Sequence, residues 1–200
     1  MFKRKILSKL EAWKQDERHK PLILRGARQV GKTTVVNEFS SQFDNYLYFN
    51  LEMSESVRLF EMDIPLNDLV NMLFASLGKP QKEGSTLIFI DEIQNSPKTI
   101  ALLRYFYEQR PDLYVIAAGS LLENLVDVNV SFPVGRVMYL ALRPCSFYEF
   151  LGAIGKNNLL TILSQKAEYT IAFHEQLMHQ FNQYTIIGGM PEAVQHYAET

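Results

Sequence analysis

The chain has 200 residues, 47% apolar and 21% charged, a balance that suits one globular domain, or one domain plus an appendage, with ample core. A formal net charge of −2 excludes the global basic field of a nucleic-acid binder and leaves room only for a local basic patch. The single cysteine, Cys145, excludes an intramolecular disulfide and fits a reducing compartment, and no apolar run approaches the roughly 18 residues of a membrane span.

Residues 3–18 predict an amphipathic helix with Ile6, Leu7, Leu10 and Trp13 on one side. Placed before the first strand, it fits packing on a sheet edge better than binding a membrane. The N-terminus starts basic, but it soon meets Glu11, Asp16 and Glu17 and lacks the apolar core and small-residue cleavage site of a secretory signal. A cytoplasmic location is expected.

Pro21 to Leu24 reads as a buried strand, and Lys32 to about Gln42 as a helix with Val35, Val36 and Phe39 near one face. Between them stands Gly26-Ala27-Arg28-Gln29-Val30-Gly31-Lys32-Thr33, which fits G-x-x-x-x-G-K-[ST], the phosphate-binding loop of nucleoside-triphosphatases. Gly26 and Gly31 allow backbone conformations in which successive N–H groups face one anion. Lys32 supplies a point charge for the β- and γ-phosphates, and the Thr33 hydroxyl is a ligand for Mg²⁺. Strand, loop and helix together aim a helix N-terminus at phosphate. The candidate nucleotide-binding set is Gly26, Ala27, Arg28, Gln29, Val30, Gly31, Lys32, Thr33 and Thr34.

Tyr46 to Asn50 predicts a second strand, followed by helices near 54–61 and 66–77, with Asp63 to Pro65 between them and Gly78-Lys79-Pro80 as the stop. Thr86-Leu87-Ile88-Phe89-Ile90-Asp91-Glu92 is nearly continuously apolar, as a strand buried on both faces is, and ends in two acids. In an open α/β sheet the ligand lies beyond the carboxyl ends of the strands, which brings Asp91 and Glu92 beside the phosphate loop. Asp91 then holds hydrated Mg²⁺, and Glu92 orients and deprotonates an attacking water. The alternative is that the acids merely cap the next turn.

Ser96-Pro97 predicts a helix start, with Ile100, Leu103, Phe106 and Tyr107 carrying its apolar face to about Gln109. Leu113 to Ala118 is another buried strand, ending at Gly119-Ser120. Ser120 is placed to touch the γ-phosphate or the water, or else to cap a helix. It lacks the G-x-S-x-G elbow of a serine nucleophile. A helix is expected from Leu121 to Val126, a loop from Asn129 to Gly135, and a fifth strand within Arg136 to Leu142. Arg136 is a candidate for the cation that speeds phosphate cleavage, in cis or toward a neighbouring subunit, against the plainer reading of a surface arginine. Arg28 and Arg143 are lesser candidates. Ser146 caps a helix to about Leu151, in which Phe147, Tyr148 and Phe150 read as core. From Asn157 on the pattern is helical, with a stripe of Phe173, Leu177, Met178, Phe181 and Tyr184 and an interruption at Ile187-Gly188-Gly189-Met190-Pro191. The last helix is cut short at Thr200, so a longer natural chain is expected. His19, His174, His179 and His196 show no metal-ligand spacing, and the lack of an N-K-x-D guanine signature favours ATP.

With RGARQVGKT, FIDEIQ, VIAAGSLL, FPVGRV, LRPCSFYEF and IIGGMPEAV in this order, the chain resembles P-loop ATPases of the AAA+ superfamily. More narrowly, it is similar to bacterial and archaeal "AAA ATPase domain" proteins related to the archaeal-ATPase and STAND-like branch. The resemblance runs from Arg25 to Val194. It implies Lys32 and Thr33 on phosphates and Mg²⁺, Asp91 and Glu92 as metal and water residues, and Ser120 as a sensor. It also implies a three-layer α/β fold with a parallel sheet of order 5-1-4-3-2 and a small helical or winged-helix lid at Gly188-Gly189-Met190-Pro191, while the pattern along the chain puts a boundary between about 145 and 157, dividing an ATPase domain over residues 1–150 from a helical appendage over 151–200. A clear second-sensor arginine is absent from the helical part. The expected function is Mg²⁺-dependent ATP hydrolysis driving a conformational change; a nucleotide-gated switch with little turnover is the alternative, and a small-molecule kinase a third reading. Homo-oligomerisation, and a partner protein or nucleic acid bound through a further C-terminal domain, are open. No membrane partner is expected.

Overall fold

A computed structural model describes residues 2–120, 133, 135–165 and 170–199. The helix expected at Leu121–Val126 and most of the loop before Arg136 lie outside the described residues.

Each apolar run read as a strand forms one, and all pair in parallel. β1 (Leu22–Arg25) lies between β4 (Leu113–Gly119) and β5 (Met138–Ala141), while β3 (Thr86–Asp91) joins β4 to β2 (Asn45–Asn50), giving the order β2-β3-β4-β1-β5. This is the expected order read from the other edge. β3 is buried along its whole length and β4 nearly so, because helices cover both faces of the sheet. β2 alternates between buried and half-buried residues, the period-two pattern of a strand with one covered face.

Contacts divide the chain into two units. The α/β unit comprises residues 10–28 and 32–142, and the helical unit residues 1–9, 29–31 and 143–200. In the α/β unit, α2 (Lys32–Ser40) follows β1, α3 (Ser54–Phe60) and α4 (Leu66–Ser76) follow β2, and α5 (Pro97–Gln109) follows β3. Ser96 caps α5, its hydroxyl accepting from the Thr99 N–H, with Pro97 at the first helical position. The core between β3, β4, α4 and α5 includes Leu73, Ile88, Ile90, Ile100 and Phe106. Trp13, in the second half of α1 (Ile6–Gln15), donates from Nε1 to the Lys20 carbonyl at 2.8 Å and packs against Phe39 and Tyr114.

The helical unit contains α6 (Phe147–Ala153), α7 (Asn157–Gln165), α8 (Ile171–Ile187) and α9 (Pro191–Glu199). Gly189 is required where its backbone meets Cys145: Cys145 N–H donates to the Gly189 carbonyl at 2.6 Å, and a Cβ there would sit 2.5 Å from the Cys145 carbonyl oxygen. No helix among the described residues is long and apolar enough to cross a membrane.

Arg4 ties this unit together. Its guanidinium donates to Glu149 Oε1 at 3.0 Å, to the Val30 carbonyl at 3.1 Å and to the Arg143 carbonyl at 2.7 Å. Glu149 also closes the capping box of α6 with Ser146 and accepts from the Lys5 N–H at 2.9 Å. The two side chains are only 6% and 9% exposed. Arg4→Met would leave the carboxylate buried and unpaired, and is expected to cost about 3–5 kcal/mol of stability, read by denaturant unfolding. Burial pushes the Glu149 carboxyl up, but the Ser146 and Lys5 N–H groups and Arg4 outweigh it and hold it below the usual carboxylate range. A depressed folded-state value means this contribution is complete above the ordinary carboxylate range and is lost as pH falls through it, so the Arg4→Met deficit should shrink in acid.

Candidate functional site

The glycine loop leaves β1 at its carboxyl end and enters α2 at Lys32. Two residues in the loop take left-handed backbone, Gln29 with φ 60° and Gly31 with φ 90°. For Gln29 this costs about 1–2 kcal/mol, a strain that loop packing must hold. Val30 is fully buried, and its carbonyl is fixed by Arg4 within the helical unit. The N–H groups that open α2 have no helical acceptors and are the natural donors to an anion.

Lys32 is 6% exposed, and its ammonium donates to the carbonyls of Gly26 and Ala27, each at 2.9 Å. Burial lowers its pKa chiefly, Glu92 and Asp91 oppose the shift, and Arg28 adds to it. Thr33 Oγ1 donates to Asp91 Oδ2 at 2.6 Å, and the Glu92 N–H donates to Asp91 Oδ1 at 3.0 Å. Hydroxyl and carboxylate thus meet as two hard oxygen donors across the end of β3, a set that fits Mg²⁺ completed by phosphate and water.

Asp91 is 4% exposed, and burial pushes its carboxyl above the usual range. The Thr33 hydroxyl and Glu92 N–H pull down, the Glu92 charge pushes up further, and Lys32 pulls down. The folded-state value is raised, so the ionised carboxylate is a net cost at neutral pH, and that cost vanishes in acid where the group is protonated. Asp91→Asn removes the charge while its amide can donate to Thr33 Oγ1 and its carbonyl accept from Glu92 N–H. In the absence of nucleotide the variant should melt at the same temperature or a few degrees higher at pH 7, with the gain lost below the ordinary carboxylate range. Scanning calorimetry across pH checks this.

Glu92 adopts left-handed backbone, φ 53° and ψ 44°, and starts a 3-10 turn over Ile93–Asn95. Its Oε2 accepts from Gln94 Nε2 at 2.5 Å. Ser120 follows β4, one strand over from the acids, and its Oγ is covered and has no partner among the described residues. Arg28 is largely exposed and 3.9 Å from Glu52. Thr34 lies in the first turn of α2.

Arg136 does not join this group. It precedes β5, which pairs in parallel with β1, and so lies at the end of the sheet opposite the glycine loop. There its Nε donates to Glu108 Oε1 of α5 at 2.5 Å. The structure does not bring it to the chain's own glycine loop. Arg143 presents its backbone carbonyl to Arg4.

Two neighbours of the acids went unread in the sequence. Gln94 is one, although its place two residues beyond an acid at a strand end was a usable signal. Tyr48 of β2 is the other, its phenol pushed up by burial and by the nearby Asp91 and Glu92; alternation along β2 would have put it on one face with Tyr46 and Asn50.

A family described as "AAA domain" matches residues 18–151. No curated protein matches the chain. Among solved structures, the Walker-type ATPase PABY2304 of Pyrococcus abyssi superposes with a TM-score of 0.60 at 17% identity, over 99% of this chain and 67% of that one. Drosophila ORC bound to DNA superposes at 0.52 and 15% identity, over 96% of this chain and 58% of that one. Likeness at these identities is one of fold.

Proposed function

The chain belongs to the AAA domain family, and on that premise we propose that it binds ATP with Mg²⁺ and hydrolyses it to ADP and phosphate, driving a conformational change. The observation that carries this reading is the contact of Thr33 Oγ1 with Asp91 Oδ2, 2.6 Å apart, with Lys32 preceding one and Glu92 following the other. A phosphate loop alone supports only triphosphate binding. A metal-type carboxylate joined to its threonine, with a second carboxylate next in sequence, supports hydrolysis.

When bound, Mg²⁺ neutralises charge on the phosphate oxygens and orients them. Thr33 and Asp91 are the residues that would hold it. The N–H groups opening α2 bind phosphate oxygens, and Lys32 turns its ammonium from the Gly26 and Ala27 carbonyls to the β- and γ-phosphates. Glu92 takes a proton from the attacking water, and Ser120, by rotating its hydroxyl, contacts the γ-phosphate or that water. The absence of N-K-x-D in the sequence supports adenine over guanine as the base. Arg136, 41% exposed in its side chain, is left a role only toward a neighbouring subunit.

Steady-state phosphate release with ATP, with and without chelation of Mg²⁺, tests the reading. Turnover that chelation abolishes is expected. Tightly retained nucleotide with no phosphate release would replace the ATPase with a nucleotide-gated switch.

A further inference from the structure

We propose that Gln94 is a positioning residue for ATP hydrolysis, its side-chain amide fixing the carboxylate of Glu92 so that a single oxygen is left to receive the proton of water. The inference rests on the hydrolytic reading of the site and adds to it a residue that acts through the base.

The geometry begins with the backbone. A residue with a Cβ at φ 53° is strained, and the turn that follows holds it there. Asn95 N–H donates to the Glu92 carbonyl and Ser96 N–H to the Ile93 carbonyl, each at 3.1 Å. Ile93 is fully buried in the core of the α/β unit, and Ser96 caps α5 while donating to Glu61 Oε1 at 3.0 Å. Gln94 therefore sits on a turn anchored at both sides, and its side chain folds back to Glu92.

The orientation of the amide is fixed by chemistry. An ionised carboxylate only accepts hydrogen bonds, so the Gln94 NH₂ must face Glu92 Oε2 and the carbonyl must face away. That carbonyl oxygen, Oε1, is buried and has no partner among the described residues. A glutamine placed for stability would satisfy both ends; here one end is left unpaired at a cost in stability while the other holds the base. The bond to Oε2 removes rotamer freedom from Glu92 and leaves Oε1 of Glu92 as the free basic oxygen. In the reaction, the water oxygen forms a bond to the γ-phosphorus and the bond from that phosphorus to the β–γ bridging oxygen breaks. The electron pair of the broken bond leaves on ADP, and the water's proton passes to Glu92 Oε1.

Gln94→Met, Gln94→Glu and Glu92→Gln are compared with the wild type by kcat and KM for ATP, ADP affinity and melting temperature. Gln94→Met should lower kcat about 10- to 100-fold, keep ADP affinity within about twofold, and melt no lower than the wild type, because the unpaired carbonyl is gone. Gln94→Glu, of the same shape, puts a second carboxylate against Glu92 in place of the donor and should lower kcat at least as far as Gln94→Met. Unchanged or raised kcat in Gln94→Met, with the wild type active and Glu92→Gln silent, overturns this inference alone. So does a fall in melting temperature that accounts for the lost activity. An inactive wild type, or full activity in Glu92→Gln, overturns the hydrolytic reading and this inference with it.

Discussion

Lys32→Ala is expected to weaken binding of ATP and ADP by roughly 100-fold or more, since each charge-assisted hydrogen bond to phosphate contributes about 1.5–3 kcal/mol. The ammonium does two things in this chain. It holds the Gly26 and Ala27 carbonyls at 2.9 Å, which shapes the loop from inside, and it is a buried cation whose charge acts on Asp91 and Glu92. Removing it leaves the two carboxylates without their cation, so the triphosphate meets an acidic site. The fold itself should survive, because the β1–β4 pairing and the core of the α/β unit do not use the side chain. Titration calorimetry reads the loss, with the circular dichroism spectrum as control. A dissociation constant within threefold of the wild type would remove Lys32 from the site.

Glu92→Gln is expected to keep ATP bound and lower turnover about 10²- to 10⁴-fold, the usual contribution of a positioned general base. The substitution keeps the shape of the side chain, and its amide oxygen can still accept from Gln94, so the turn at Ile93–Asn95 has no reason to move. Affinity should hold or tighten, because one negative charge beside the phosphates is gone. ATP should then be recovered intact from the variant under conditions in which the wild type yields ADP. Turnover at the wild-type rate would transfer the role of base elsewhere.

Residues carried by local pattern were legible in the sequence. The glycine loop, the acids ending β3 and the Ser96-Pro97 start of α5 follow from a motif, periodicity or capping, while the order of the parallel sheet followed from the resemblance to AAA+ ATPases. What escaped is set by distance along the chain or by backbone detail. Arg4 meets Glu149 across 145 positions, and no local signal marks that pair. The left-handed backbone of Glu92 and the returning side chain of Gln94 depend on Ile93 being pulled into the core, which a four-residue reading of D-E-I-Q does not reveal. The placement of Arg136 away from the glycine loop was a matter the sequence did contain. A residue just before a parallel strand lies at the end opposite the loops that follow the strands, roughly 13 Å away for a four-residue strand.

The central claim is that this site cleaves the γ-phosphate, and a single-turnover chase tests it most directly. Wild-type protein in excess over γ-labelled ATP, with Mg²⁺, is quenched over a time course and its bound nucleotide separated. The account predicts conversion to ADP and free phosphate in one exponential phase, abolished by chelation and slowed at least 100-fold in Glu92→Gln. Intact ATP, still bound to wild-type protein after many minutes with Mg²⁺ present, would contradict it.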